Sequence, residues 1–222
     1  MSIIAQLVVL AILVSADGCG FGAEVFAPAV QGSGTSTTEK RETAAFTRVQ
    51  LEGSPDVTIT IGQPRSVTVT ADDNIVPLIE TEVHGGDTLV ITSHQNYSSR
   101  VGVHVNITVE SLDGVTVTGS GNISATGVKS PKLAATVTGS GNVRVDGGGD
   151  AIDCTVSGSG NIDAVKFTAA RGAAHVTGSG NVKLNATESL DAQVTGSGDV
   201  RFAGSPKSVQ RSVTGSGSVK PM

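Results

Sequence analysis

From Leu133 onward, nearly every second residue is apolar or glycine. One run reads Leu133, Ala135, Val137, Gly139, Gly141, Val143, Val145; the next reads Ile152, Cys154, Val156, Gly158, Gly160, Ile162, Ala164. A third run reads Ala174, Val176, Gly178, Gly180, Val182, Leu184, and the residues between are mostly Thr, Ser, Asn, Asp, Lys and Arg. A period of two marks strands with one buried face. Each run is centred on Gly-Ser-Gly, which occurs in six copies whose first glycines are Gly119, Gly139, Gly158, Gly178, Gly196 and Gly215, at steps of 20, 19, 20, 18 and 19 residues. A motif returning at so even a step predicts one supersecondary unit stacked on copies of itself, and the step is far shorter than the about 34 residues of helical-hairpin repeats. It suits one coil of a β-solenoid. The parity passes unbroken through Gly-Ser-Gly. Either the strand bends there with both glycines inward, or the glycines form a tight corner that a side chain would block. Turn-rich pieces at 146–150, 185–189 and 203–207 separate the copies, so each repeat is expected to be strand, corner, strand, turn.

The first half alternates less regularly. Val49 and Leu51 lead into Gly53-Ser54-Pro55-Asp56, a degenerate relative of the later motif, followed by Val57, Ile59 and Ile61. Gln63-Pro64 predicts a turn, and Gly85-Gly86-Asp87 a hairpin turn leading to Leu89 and Ile91. Val101, Val103, Val105, Ile107 and Val109 form the longest alternating strand before the array. This half reads as the irregular capping end of a solenoid, and Arg211, at a nominally inward position, marks the sixth coil as the other cap. The expectation is an all-β fold: a parallel β-helix with coils of about 19 residues over 46–222. Residues 20–45 lack periodicity and read as a flexible spacer, with Gly32 to Glu42 carrying the spacer composition. Ile3 to Val14 is an apolar run too short to span a bilayer as a mature helix, and its position predicts a signal-peptide core, although no Lys or Arg precedes it. Ala16-Asp17-Gly18-Cys19 resembles a bacterial lipobox with Asp17 at an unusual place, which makes residues 1–19 a leader and Cys19 a lipidation site; ordinary cleavage after Ala16 is the alternative.

Composition narrows the core. Aromatic residues are 3%, with no Trp, one Tyr and five Phe, so a narrow tube of Val, Ile, Leu and Ala is expected rather than a broad sandwich. The formal charge of −5, with no basic cluster or aromatic-basic interleaving in the sequence, argues against a nucleic-acid partner. Of the two cysteines, Cys154 falls inward as a small hydrophobe and Cys19 in the leader, so no disulfide framework follows.

The outward positions of the motif form three columns. They are Thr118, Thr138, Ser157, Thr177, Thr195 and Thr214; then Ser120, Ser140, Ser159, Ser179, Ser197 and Ser216; then Asn122, Asn142, Asn161, Asn181, Asp199 and Ser218. At about 4.8 Å per coil they would build a polar face about 25–30 Å long. Such a face suits a repetitive ligand, a glycan or ice. It better suits ladders of side chains that hydrogen-bond between coils and hold register, since regular ladders are what solenoid corners need. Acids are the other candidates: Asp72-Asp73, and Asp146, Asp150 and Asp153 around Gly147-Gly148-Gly149. The latter resembles a calcium-binding nonapeptide, but one instance without that period reads as a solvated turn. A glycan-cleaving enzyme needs carboxylates converging in a groove, and these are scattered. His84, His94, His104 and His175 lack metal-ligand spacing, and Gly-Ser-Gly lacks the Lys and helix of a phosphate loop. No cofactor, metal or catalytic residue is expected.

Three segments carry a resemblance: Leu51 to Ile59 (LEGSPDVTI), Ala71 to Val83 (ADDNIVPLIETEV), and the recurring VTGSGNV, including Asn185 to Val200 (NATESLDAQVTGSGDV). Together they resemble the autotransporter-adhesin head GIN domain family, over roughly 46–220. The resemblance implies a right-handed parallel β-helix in secreted or lipid-anchored bacterial proteins, and carries no catalytic residues with it. With the chain running only to Met222, no translocator barrel is expected. The expected function is a non-enzymatic, extracytoplasmic binding or scaffolding module at the cell envelope or surface. Its partner would be a glycan or an envelope or surface protein, with membrane contact through the lipid anchor. The alternatives are an envelope glycan-active enzyme on a β-helix scaffold and a module that assembles end to end with itself.

Overall fold

The computed structural model describes residues 28–222. Its strands are β1 (Val30–Gln31), β2 (Ser36–Arg41), β3 (Arg48–Gly53), β4 (Asp56–Ile61), β5 (Ser66–Asp72), β6 (Ile79–His84), β7 (Thr88–Ser93), β8 (Tyr97–Ser98), β9 (His104–Val109), β10 (Gly114–Gly119), β11 (Asn122–Gly139), β12 (Asn142–Gly158), β13 (Asn161–Gly178), β14 (Asn181–Gly196), β15 (Asp199–Ala203), β16 (Ser208–Gly215) and β17 (Ser218–Pro221). From β10 on, all pairing is parallel, and within the array it joins residues one repeat apart: Val117 stands beside Val137, Val137 beside Val156, Val156 beside Val176, and Val176 beside Val194. This is a β-solenoid of about five turns. Each coil runs up an approach sheet to the Gly-Ser-Gly corner, then away along a departure sheet.

The alternating residues form one continuous core. Val117, Val137, Val156, Val176 and Val194 line the approach side, and Ile123, Val143, Ile162, Val182 and Val200 the departure side, all at most 2% exposed. The core is mostly Val, Ile, Leu and Ala, with Phe46, Phe167 and Phe202 as its only aromatic members among the described residues. Where one coil is small its neighbour is large: Phe167 is fully buried, and its ring fills the room beside Gly149 of the coil below. Cys154 lies in the same core, its thiol pushed up to about 12 by burial and then by Asp153.

The pieces expected to be turns between copies are mostly paired instead. β12 runs without a break through 146–150, with Gly147, Gly148 and Gly149 beside Val128, Lys129 and Ser130. The 185–189 piece lies within β14. Small and polar residues pair there because a stacked neighbour satisfies their backbone on both sides, which turn propensity cannot anticipate. Of these pieces, only 204–207 leaves the ladder as a loop.

The first half closes the lower end by folding back beneath itself. β3 and β4 form a first coil, with Gly53-Ser54-Pro55 directly beneath Gly119-Ser120-Gly121. The chain then drops below that coil: β7 pairs parallel under β3, and β9 parallel under β4. It climbs back to lay β10 on top of β3. Antiparallel strands finish the edge. β6 and β7 form the hairpin expected at Gly85-Gly86, and β2–β5–β9 stack on the other side.

Two further expectations are corrected here. Residues 30–41 are not a flexible spacer: β1 pairs with β8, and β2 pairs with β5 over all six of its residues. Thr-, Glu- and Lys-rich strands with both faces polar show no alternation, so the sequence pattern was blind to them. Val101 does not open a strand; it is exposed, and β9 starts at His104. The leader region, Cys19 included, lies outside the described residues.

Candidate functional site

The corner is built by two glycines with different duties. The first adopts a positive φ in every copy, +117° at Gly139, a region L-residues rarely enter. A Cβ there would also lie 2.6 Å from the Gly119 carbonyl oxygen. The second has ordinary φ but no space: a Cβ at Gly141 would sit on the Gly121 carbonyl and 2.6 Å from a Val117 methyl. The corner reading therefore holds, and the first glycine is only half-buried rather than inward. Close approach makes one carbonyl serve two donors. The Gly119 oxygen accepts from the backbone N–H of Ser140 and of Gly141, both at 2.9 Å, and the same fork recurs at Gly53, Gly139, Gly158, Gly178 and Gly196.

The three polar columns do not behave alike. The asparagines form a ladder: Asn142 Nδ2 donates to Asn122 Oδ1, Asn161 to Asn142, and Asn181 to Asn161, each at 2.9 Å. The chain of donors points one way. It starts at the Asp56 carboxylate, which accepts from Asn122 Nδ2 at 2.7 Å. At its upper end Asn181 Oδ1 accepts from the Asp199 backbone N–H, and Asp199 accepts from the Ser218 hydroxyl at 2.7 Å. Ser120, Ser140, Ser159 and Ser179 are exposed, and no hydrogen bond among the described residues involves their hydroxyls; the register there is held by backbone. Thr118, Thr138, Ser157, Thr177 and Thr195 stand in register and exposed on the approach sheet, and Ser197 continues the serine column.

Beyond the asparagines the departure sheet is concave. One groove of about 440 Å³ is bounded by Asp56, Asn122, Asn142, Arg144, Asn161 and Asp163. A second of about 420 Å³ continues it past Asn181, Lys183, Asp199 and Arg201. Arg144 and Asp163 form an ion pair across the floor at 3.1 Å. The charged row along this groove, two residues past each asparagine, escaped the sequence reading because its members lie about a coil apart. Reading the chain at its own period would have found it.

The other candidates are not brought together. Asp72 is a fully buried structural anion: it accepts from the Ser99 hydroxyl at 2.5 Å, and from the N–H of Gly34 at 2.6 Å and of Arg100 at 3.0 Å. These bonds, the Ser99 hydroxyl foremost, hold its carboxyl down to about 2 against the cost of burial. Asp73 is exposed and accepts from the Ser33 hydroxyl. Asp146 pairs beside Lys166, whereas Asp153 lies on the approach sheet beside Ala134 and Ala173, so the three acids do not converge. Among the described residues no three His, Cys, Asp or Glu side chains group as a metal site. His94, His84 and His104 each face a separate carboxylate, of Glu80, Glu82 and Asp56.

Residues 45–206 match the family described as "Putative auto-transporter adhesin, head GIN domain". The chain belongs to this family. Among solved structures it is similar to a putative adhesin from Bacteroides fragilis NCTC 9343, at 25% identity and a TM-score of 0.71, over 87% of this chain and all of that one. It is also similar to two proteins of Parabacteroides distasonis ATCC 8503, each 22% identical over 88% of this chain and all of theirs. One is named a putative adhesin, with a TM-score of 0.57, and the other a putative lipid binding protein, with 0.60. No curated protein matches the chain significantly. The head GIN resemblance read from the sequence is thus shown, and the parallel solenoid with it.

Proposed function

We propose that this head GIN chain is a non-enzymatic, extracytoplasmic binding module of adhesin type, whose ligand lies along the departure-sheet groove beside the asparagine ladder. The observation that carries the reading is that ladder with its groove. Each carboxamide spends one N–H and its oxygen on neighbouring coils, which leaves a second N–H without a partner among the described residues at every step. A repeating row of fixed polar groups beside a concave floor recognises a repeating, hydroxyl-rich chain, because nothing has to be ordered on binding. The family description and the names of its structural relatives support the adhesin class. The scattered acids support binding rather than cleavage.

The test is a screen of the intact chain against immobilised glycans and envelope proteins. Binding should be lost when Asn142, Asn161 and Asn181 are replaced together by Leu in a variant that still melts cooperatively. Retained binding by that variant would move the site elsewhere. The location rests on a separate feature, the lipobox-like Ala16-Asp17-Gly18-Cys19: Cys19 anchors the chain in a membrane by a lipid, and the protein expressed with its leader should take up labelled fatty acid. A Cys19→Ala form that still incorporates label overturns the anchor.

A further inference from the structure

Two residues beyond the asparagine column, the departure sheet carries a row in strict register: Ser124, Arg144, Asp163, Lys183, Arg201 and Lys220. Its lower part is balanced, since Arg144 is paired with Asp163. Its upper part is not. Lys183, Arg201 and Lys220 are exposed and stacked directly over one another in consecutive coils, and none has an ion-pair partner among the described residues. Like charges directly opposite on neighbouring strands destabilise a sheet, and about 4.8 Å between coils is inside the screening length of about 8 Å at physiological salt. From Val200 to the end the chain carries Arg201, Lys207, Arg211 and Lys220 and no acid, in a protein whose formal charge is −5. A repulsive stack kept within an acidic molecule has a use when an anion covers it.

We infer that this row is the binding site for an acidic polysaccharide, a linear glycan carrying a carboxylate on successive sugars. The inference rests on the groove reading above and gives it a ligand class. The row runs along the solenoid axis, so a linear polymer meets one cation per coil over Lys183, Arg201 and Lys220, while compact anions meet one or two. The second groove, of about 420 Å³, lies along these residues and places Asn181 and Asp199 beside them, an amide donor and a carboxylate acceptor matched to sugar hydroxyls. Nucleic acid fits less well. Among the described residues no exposed aromatic platform stands on this sheet for bases to stack on: Phe202 of β15 is buried, as is Phe167 of β13, and Tyr97 lies in β8.

The experiment uses the intact chain and three probes: polygalacturonate, the same polymer fully methyl-esterified, and single-stranded DNA of similar charge density. The expected result is binding of polygalacturonate that weakens steeply with salt, with no binding of the ester. The Lys183→Gln/Arg201→Gln/Lys220→Gln variant should bind about tenfold more weakly or worse. It should melt at the same temperature or higher, because the repulsion is gone. Asp163→Asn, which frees Arg144, should tighten binding and provides a gain-of-function arm if the triple variant folds poorly. Equal affinity for DNA, or a triple variant within twofold of the parent, would overturn the inference. If the chain binds neutral glycans but not polygalacturonate, this inference fails and the groove reading stands; if it binds no glycan or envelope component, both fail.

Discussion

At the scale of single residues, the corner separates positions that look equivalent in the sequence. Gly141 has no room for a methyl group against the Gly121 carbonyl and Val117, so Gly141→Ala must push two coils apart. A loss of about 3 kcal/mol is expected in denaturant melts, at the upper end of ordinary overpacking. Gly139→Ala meets a carbonyl as well and adds backbone strain at φ +117°, which should cost about 1–3 kcal/mol from strain alone. Ser140→Ala, one residue away, removes a hydroxyl that bonds nothing and should stay within about 0.5 kcal/mol. Asn161 donates to Asn142 and accepts from Asn181, so Asn161→Ala breaks two rungs and should cost about 1–2 kcal/mol. A tolerated alanine at Gly141 would sink this account of the corner. The sequence left the glycines as one of two things, an inward bend or a blocked corner, because both carry an unbroken parity through Gly-Ser-Gly. The difference between Ser and Asn was not legible. Both are short polar residues at outward positions, and only the reach of the carboxamide to the coil below distinguishes them.

At the scale of elements, the two ends of the stack are finished by different devices. The lower end depends on Asp72, whose carboxylate ties β5 to the backbone at Gly34 and Arg100, and so fixes the segment that leads into β2. Its carboxyl is held at about 2, below the about 3.9 of an unfolded chain. A depressed folded value means the stabilisation is fully present above about pH 4 and is lost as pH falls through about 2. Amide hydrogen exchange of 36–41 should therefore accelerate between about pH 4 and about pH 2, after correction for intrinsic rates, while the amides of β12 and β13 stay protected. Asp72→Asn should show the loosened strand already at neutral pH. An exchange profile of β2 that ignores both changes would contradict this. At the upper end Arg211 lies over Phe202, its guanidinium 5.6 Å from the centre of the ring. Arg211→Ala should cost about 0.5–1 kcal/mol and increase binding of a hydrophobic dye at this end. Arginine at an inward position was readable as a cap from the sequence alone. The lower cap was not. There Ser36 pairs with Asp72, and Thr70 with His104, partners too far apart along the chain for any local pattern to record.

At the scale of the whole molecule, the solenoid behaves as a one-dimensional array in which each coil contacts its two neighbours. The even step made that architecture legible, and the same step hid the cationic row, since residues about a coil apart are strangers in any short window of sequence. The array makes a prediction that no globular core would. Deleting 142–160 removes one whole coil and joins Gly141 to Asn161, so asparagine again meets asparagine, corner meets corner, and Val137 meets Val176. The shortened chain should fold to a β-rich monomer and melt in a single transition at lower temperature. Deleting 142–151 alone removes about half a coil, leaves the rest of that coil matched to neither neighbour, and should split the array so that it no longer melts in a single transition. The whole-coil deletion also carries a mismatch that can be read from the core. Phe167 occupies the room left by Gly149, and the deletion seats it near Val128 and Ser130 instead. Adding Phe167→Val to the deletion should therefore raise its melting temperature, whereas the same substitution in the full-length chain leaves a cavity beside Gly149 and should lower it by the equivalent of about 1–3 kcal/mol. Opposite signs for one substitution in two backgrounds are the signature of coils that pack only on their neighbours; equal signs would mean that the core is not modular.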